Sequence, residues 1–380
     1  MINVPRSTGN TVAIRRVVDI ASKISVLEPD ASPLLTLTKK IDKKVAINPK
    51  FNWLEEESLN KVDTVDYSTN YTSGATEIRV DNVSRFRAGD VVKDVTTGEQ
   101  LLVSALAGTD SLTVLRGWGT TSATTISDGE YLVVVGNANE EMATKRVAKI
   151  ADQTDKTNYL QIFRTPFGIS RTAENSEMYG GKDMAHQRMM QLIEHEKEIE
   201  RAFWFGEPKE YTSGTHYRRA TGGVDYWIST NATNASGTLT ETEFEDFLRT
   251  GFRYGSKTKW LFASPLIVQA INSWAKDNIR ILPKEKTFGI NLAQWMTPFG
   301  IVNIVLTNLF TETPTFAGYA YLIDPEQLTY RFLANSDTKL KTNIQDPSAD
   351  GEEDEYISEV GLQFMNEKKA AQLYGVTSFT

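Results

Sequence analysis

The 380-residue chain has no cysteine and only three histidines. The first absence excludes disulfides, thiolate metal sites and cysteine nucleophiles together. The second leaves imidazole chemistry few places. His186 and His195 fall on one helical stretch, nine residues apart. At 100° per residue that is about 900°, so they sit on opposite faces and cannot share a metal. Ile199 stands where a His-Glu-x-x-His zinc pattern starting at His195 needs its second histidine. His216, beside Tyr217, Arg218 and Arg219, reads as a surface histidine rather than an anion contact. Phosphate-loop, dinucleotide and nucleophile-elbow glycine patterns are also missing, and "GWGTT" (117–121) lacks a lysine and reads as a turn. No apolar run approaches the roughly 20 residues that span a bilayer. Arg15 and Arg16 interrupt the stretch where the apolar segment of a signal peptide would lie. The pairs Glu55/Glu56 and Glu352/Glu353 are dense in charge and lack apolar shielding, so they read as solvated faces. No catalytic residue, cofactor or metal is expected.

What is present describes a folded chain of two or three domains, with 40% apolar and 24% charged residues. The net charge of −8 is unevenly spread. Residues 1–50 hold nine Lys and Arg against four Asp and Glu, whereas "WLEEE" (53–57) and "DGEEDE" (350–355) are acidic. Arg15, Arg16, Lys39, Lys40, Lys43 and Lys44 are therefore candidates for meeting a polyanion or a neighbour's acidic surface, against the plainer reading of a solvated face. Four Asn-x-Ser/Thr matches (Asn70, Asn82, Asn231, Asn234) read as turn-rich polar sequence.

Along the chain, Ile14, Val17, Val18, Ala21 and Ile24 form a helical stripe that Pro29 ends. A second start follows, with Ser32 as cap, Pro33 at the first helical position and Leu34, Leu35 and Leu37 as the apolar face. These short helices read as an arm, and deleting residues 1–44 is expected to leave the remaining domains folded. Between about 70 and 137, five short strand candidates separated by turn residues predict a small all-β module, a five-strand barrel or sandwich inserted into a larger fold. Residues 183–205 predict the longest helix, capped by Asp183, stopped by Gly206, with Ala185, Met189, Leu192, Ile199 and Phe203 as its apolar stripe. From 240 to 340 helices and strands alternate, with a hairpin at 298–300. In the tail, Tyr356, Ser358, Val360, Leu362 and Phe364 alternate as the mostly apolar face of a strand returning to a domain begun earlier. Arm, module and tail are thin segments with apolar faces, which favours assembly with other copies over packing within one chain.

The order of "LEPDASPLLTLTKK" (27–40), "FNWLEEE" (51–57), the β-rich stretch 78–121, "NYLQIFRTPFGISRTAE" (158–174), "EIERAFWFG" (198–206), "TGGVDYWIST" (221–230) and "EVGLQFMNEKKAAQLYGV" (359–376) resembles the major capsid proteins of tailed bacteriophages. The resemblance covers nearly the whole chain and is greatest to members with a β-insertion. It implies an α+β Hong Kong 97-type capsid fold plus a small all-β insertion domain. Residues 1–50 would be the N-terminal arm, and 51–175 the extended loop with its module at about 70–137. Residues 176–239 with 341–380 would be the peripheral domain around a spine helix at 183–205, and 240–340 the axial domain. The implied partners are many copies of itself as pentamers and hexamers, scaffolding, portal and decoration proteins, and packaged double-stranded DNA held non-specifically, with no membrane. The implied place is the virion capsid, assembled in the host bacterial cytoplasm. Two alternatives stay open: an encapsulin-like compartment shell, and a glycan-binding surface or tail protein using Trp118 and Tyr131.

Overall fold

The structure is a computed structural model that describes residues 32–58, 60–67, 69–142, 145–146, 148–176, 183–278, 281–283 and 293–380. Arg15, Arg16 and the stripe at 14–24 lie outside the described residues. The chain divides into two units: one runs to Trp53 and resumes over Lys156–Thr380, the other is Leu54–Asp155.

In chain order, α1 (Pro33–Ile41) and β1 (Lys43–Ala46) precede β2 (Lys50–Glu55). The smaller unit then carries β3 (Val62–Thr64), β4 (Glu77–Arg79), β5 (Asp90–Asp94), β6 (Gln100–Ala107), β7 (Ser111–Leu115) and β8 (Tyr131–Asn137). The chain returns along β9 (Thr154–Tyr159), which pairs with β2. There follow β10 (Gln161–Ser170), α2 (Arg171–Glu174), α3 (Asp183–Phe205), β11 (Lys209–Ser213), β12 (His216–Ala220), α4 (Val224–Trp227), β13 (Ala232–Leu239) and α5 (Glu241–Gly251). Next come β14 (Thr258–Ala263), α6 (Pro265–Asn278), β15 (Ile281–Pro283), β16 (Ala293–Met296), β17 (Ile301–Leu306) and β18 (Ala320–Ile323). Last are β19 (Leu328–Leu333), β20 (Lys339–Lys341), β21 (Gly351–Phe364) and β22 (Ala371–Phe379).

The smaller unit is a six-stranded sheet in the order β3-β8-β5-β6-β7-β4, one strand more than the sequence suggests and beginning at 62 rather than about 70. Its two edges meet. Val65 bridges Val80, Asp81 N–H donates to Thr64 O and Asp66 N–H to Arg79 O, so the sheet closes into a barrel without free edges. Alternate residues fill it, among them Ile78, Val92, Leu101, Val103, Leu112, Val114 and Leu132. Beside this core the Glu99 carboxylate is fully buried, accepting from the Arg116 guanidinium (Nε 2.8 Å), Gly117 N–H and Thr124 N–H. Burial raises this carboxyl, but Arg116 and the two amides outweigh it and hold it at about 2. The pair therefore stabilises the barrel fully above about pH 4.5 and loses that contribution as pH falls towards 2. Arg116→Met leaves the buried charge unpaired and is expected to cost about 3–5 kcal/mol. Hydrogen exchange of the Asp90–Leu115 amides at pH 7 reads the loss as faster opening, and unchanged protection would refute it.

The larger unit packs two sheets around α3. The seven-stranded sheet runs β13-β22-β18-β14-β17-β16-β15, with β14 parallel to β17 and antiparallel to β18. Its central strands are apolar on both sides, as strands covered on both faces must be. The period of two divides them: Trp260, Phe262, Val305, Tyr321 and Ile323 join Ile199, Phe203 and Trp204 of α3 in one core. Leu261, Ala263, Val302, Ile304 and Leu322 join Phe244, Phe247 and Leu248 of α5 and Ile267 and Ile271 of α6 in another. The capping box Thr240/Glu243 starts α5. The second sheet runs β1-β19-β21-β10, with β20 on β21, and supplies Tyr330, Val360, Leu362 and Phe364 to the α3 core. The 298–300 hairpin is present, with Thr297 and Gly300 exchanging backbone hydrogen bonds.

Four expectations change. The 356–380 tail is two strands in different sheets, because Asn366 takes φ +54° and a 3-10 turn at Glu367–Lys369 redirects the chain. Sheet membership also cuts across the implied ranges: Leu328–Leu333, inside 240–340, pairs with β1 and β21, while Ala371–Phe379, inside 341–380, pairs with β13 and β18. On α3, Ala185 and Met189 of the expected stripe are exposed while Ile199 and Phe203 are buried, and the buried set also includes Met184, His195, Glu200 and Trp204. Two polar residues in that set have hydrogen-bond partners, which is the condition for burying them. Finally, Ser32 makes no side-chain capping bond. As expected, α3 stops at Phe205: Gly206 N–H closes the last turn on Ala202 O, and Gly206 O accepts from Gly223 N–H. An added Cβ at Gly223 would come within 2.7 Å of the Trp204 backbone, which is why "TGGVDYW" carries glycine there.

Candidate assembly surfaces

The N-terminal helix is not a loose arm in the described structure. Leu34, Leu35 and Leu37 are at most 1% exposed. The carboxylate that caps the helix comes from α3: Glu200 Oε1 accepts from Leu34 N–H (3.0 Å) and Trp204 Nε1–H (3.0 Å), and Oε2 from Leu35 N–H (2.6 Å). A negative charge at a helix N-terminus is favourable. Burial nevertheless outweighs these donors and pushes the carboxyl up to about 7. One turn earlier on α3, buried His195 bridges Thr165 Oγ1 (2.8 Å) and Ser358 Oγ (2.6 Å), tying the helix to β10 and β21. Burial, helped by the Lys39 charge, pushes its imidazole down to about 4.

The lysines that the sequence singles out are answered inside the subunit. Lys39 pairs with Glu196 (3.3 Å) on α3, and Lys44 pairs with Asp42 (2.9 Å). Lys43 pairs with Asp337 and lies 4.8 Å from the Phe332 ring centre. Lys40 also has an interaction partner. Sequence reasoning missed Glu200 and Lys259. The Lys259 ammonium is buried and donates to Gly251 O (2.6 Å), Tyr254 O (2.7 Å) and Lys369 O. Desolvation pushes it down to about 8. For Glu200 a signal existed, a lone carboxylate between Ile199 and Trp204; a lysine at a strand start offers none.

Among the described residues no cluster of three His, Asp or Glu is placed to hold a metal. A groove of about 350 Å³ between Ala202, Phe205, Leu309 and Phe316 is mainly apolar, with the Arg201–Glu312 ion pair (2.7 Å) at its rim. Trp118 is half-buried in a turn whose flanking glycines take φ of +61° and +78°, and Tyr131 is exposed. His216 is exposed. The large apolar and aromatic side chains that remain exposed include Tyr211, Tyr217 and Tyr226 in the larger unit and Leu115 and Val135 in the smaller.

Comparison with known proteins identifies the family. The sequence profile of the SU10 major capsid protein family matches residues 5–377. The major capsid protein of Pseudomonas phage PaMx41 is 21% identical over 325 residues, covering 82% of this chain and 77% of that protein. Among solved structures, that of Mycobacterium phage Bobi aligns at TM-score 0.52 and 8% identity, over 95% of this chain and 96% of that one. The capsid of a native GTA particle aligns at TM-score 0.51 and 9% identity, over 98% and 100%. At such identities the two structures speak for the fold, the Hong Kong 97-type capsid fold, over nearly the full chain. This chain belongs to the SU10 major capsid protein family, the shell-forming proteins of tailed phage heads.

Proposed function

We propose that the chain forms pentamers and hexamers that close into a virion shell in the host bacterial cytoplasm, holding double-stranded DNA non-specifically and catalysing no reaction. The observation that carries this reading is the family match across 5–377. The architecture supports a division of labour. The β2–β9 ribbon and its barrel serve as the extended loop with an insertion. The α3 helix and the β1-β19-β21-β10 sheet serve as the peripheral domain, and the seven-stranded sheet with α5 and α6 as the axial domain. Lys39 and Lys43 tie α1 and β1 to Glu196 and Asp337 of their own subunit, so among the six cations singled out Arg15 and Arg16 are the ones we assign to DNA or a neighbour. Scaffolding, portal and decoration proteins would act on the same shell. Between a phage shell and the encapsulin-like or glycan-binding alternatives, family membership favours the first. Negative-stain microscopy and sedimentation of the purified chain, with scaffold supplied, test the reading. Rings or closed particles are expected, and monomer alone at high concentration would overturn it.

A further inference from the structure

After α3 the chain makes a two-stranded ribbon before returning to α4. Its register pairs Lys209 with Ala220, Glu210 with Arg219, Tyr211 with Arg218, Thr212 with Tyr217 and Ser213 with His216. Pairing of this kind puts Lys209, Tyr211 and Arg218 on one face and Glu210, Thr212, Tyr217 and Arg219 on the other. Both faces are open: Tyr211 is 60% and Tyr217 57% exposed. An isolated two-stranded ribbon is marginally stable in water and gains from cover. Exposed tyrosine and arginine side chains are the types that anchor protein interfaces.

The charges indicate what covers it. Arg219 is paired with Glu210 (2.6 Å) and lies 5.0 Å from the Tyr217 ring centre. Lys209 and Arg218 have no carboxylate partner among the described residues. The same unit carries an acidic edge at the start of β21. There Glu352 and Asp354 are held by Arg188, and Glu355 by Arg164. Glu353 is exposed with no ion pair among the described residues, and Asp350 is 66% exposed in a solvent-screened pair with Arg171. No ion pair joins ribbon and acidic edge within the subunit among the described residues.

We propose that the β11–β12 ribbon docks on the acidic edge of a second copy of this chain, placing Lys209 and Arg218 against Asp350 and Glu353 and burying Tyr211. This rests on the shell-forming reading and names one of its contacts. Opposite potentials steer the two copies together, and the buried tyrosine supplies desolvated area.

The test has two arms. In the first, Lys209→Glu with Arg218→Glu, and separately Asp350→Lys with Glu353→Lys, are each expected to cut particle yield at least about tenfold. All four substitutions together restore it, with circular dichroism confirming the fold of each soluble chain. Unchanged yield in either pair, or no recovery in the combination, overturns the proposal. So does loss of DNA retention with normal particle yield, which would make the ribbon a nucleic-acid contact. In the second arm, isotope-labelled and unlabelled chains are mixed at high concentration and coupled with a carbodiimide. A mixed-isotope peptide joining Lys209 to Asp350 or Glu353 is expected, and its absence overturns the contact. This arm reads the contact even in a chain that forms no particles, an outcome that would refute the shell reading separately.

Discussion

A chain beginning at residue 45 is expected to lose its native fold, not merely its capacity to assemble. The missing segment removes Leu34, Leu35 and Leu37 from the α3 core, where they are at most 1% exposed. Each buried leucine deleted costs about 2–5 kcal/mol, so three of them rival the roughly 5–15 kcal/mol that stabilises a whole domain. The truncation also removes the two amides that donate to Glu200, leaving Trp204 Nε1–H as the one of its three donors that remains. It takes β1 from the edge of its sheet down to Lys44, and with it the Lys39–Glu196 and Lys43–Asp337 pairs. Urea unfolding followed by far-ultraviolet circular dichroism checks this. A truncated chain with the parent's midpoint would restore the reading of residues 1–44 as a detachable arm. In a full-length chain, Leu35→Ala alone should lower stability by about 2–5 kcal/mol.

Opposite pH responses are expected when Glu200 and His195 are replaced one at a time. Glu200 titrates near 4.5 unfolded and about 7 folded. Between those values the native state holds a proton that the unfolded chain has released, so this group lowers stability as pH rises. His195 titrates near 6.5 unfolded and about 4 folded. Between those values the unfolded chain binds a proton that the native state refuses, so this group raises stability as pH rises. The windows overlap from about pH 4.5 to 6.5, where each slope approaches about 1.4 kcal/mol per unit and the two offset one another. The groups around them contribute to both states: Lys39, Glu355 and Tyr356 near His195, and Glu196 near Glu200. Relative to the parent, Glu200→Gln is expected to lose about 2 kcal/mol more on acidification across this window, and His195→Gln to gain a similar amount. Chemical denaturation at pH 4.5, 5.5 and 6.5 measures both differences. Slopes of the same sign in the two variants would sink the argument.

Much of this protein was legible in its residues because the signals are local. The period-two alternation at Tyr356–Phe364, the proline and leucines that start α1, the glycine that stops α3 and the turn residues between barrel strands are each decided within a few positions. The order of these elements also carried the resemblance to capsid proteins that the family match bears out. What only the tertiary structure decided is which faces meet. Closure of the barrel rests on the bridge between Val65 and Val80, just past the ends of β3 and β4; "TEIRV" (76–80) carries a strand signal, whereas β3 has only three residues in which to show one. The division of the tail between two sheets turns on Asn366, whose left-handed backbone is one of several that the same sequence pattern allows. Spacing in the sequence separates His195 from His186, but places none of His195, Glu200 and Lys259 in the interior. Their burial is possible because the Leu34 and Leu35 amides, the Thr165 and Ser358 hydroxyls and the Gly251, Tyr254 and Lys369 carbonyls reach them from outside their own elements. A hydrophobic face is written in spacing along one segment, whereas a buried polar group is stable only through partners that folding brings from elsewhere.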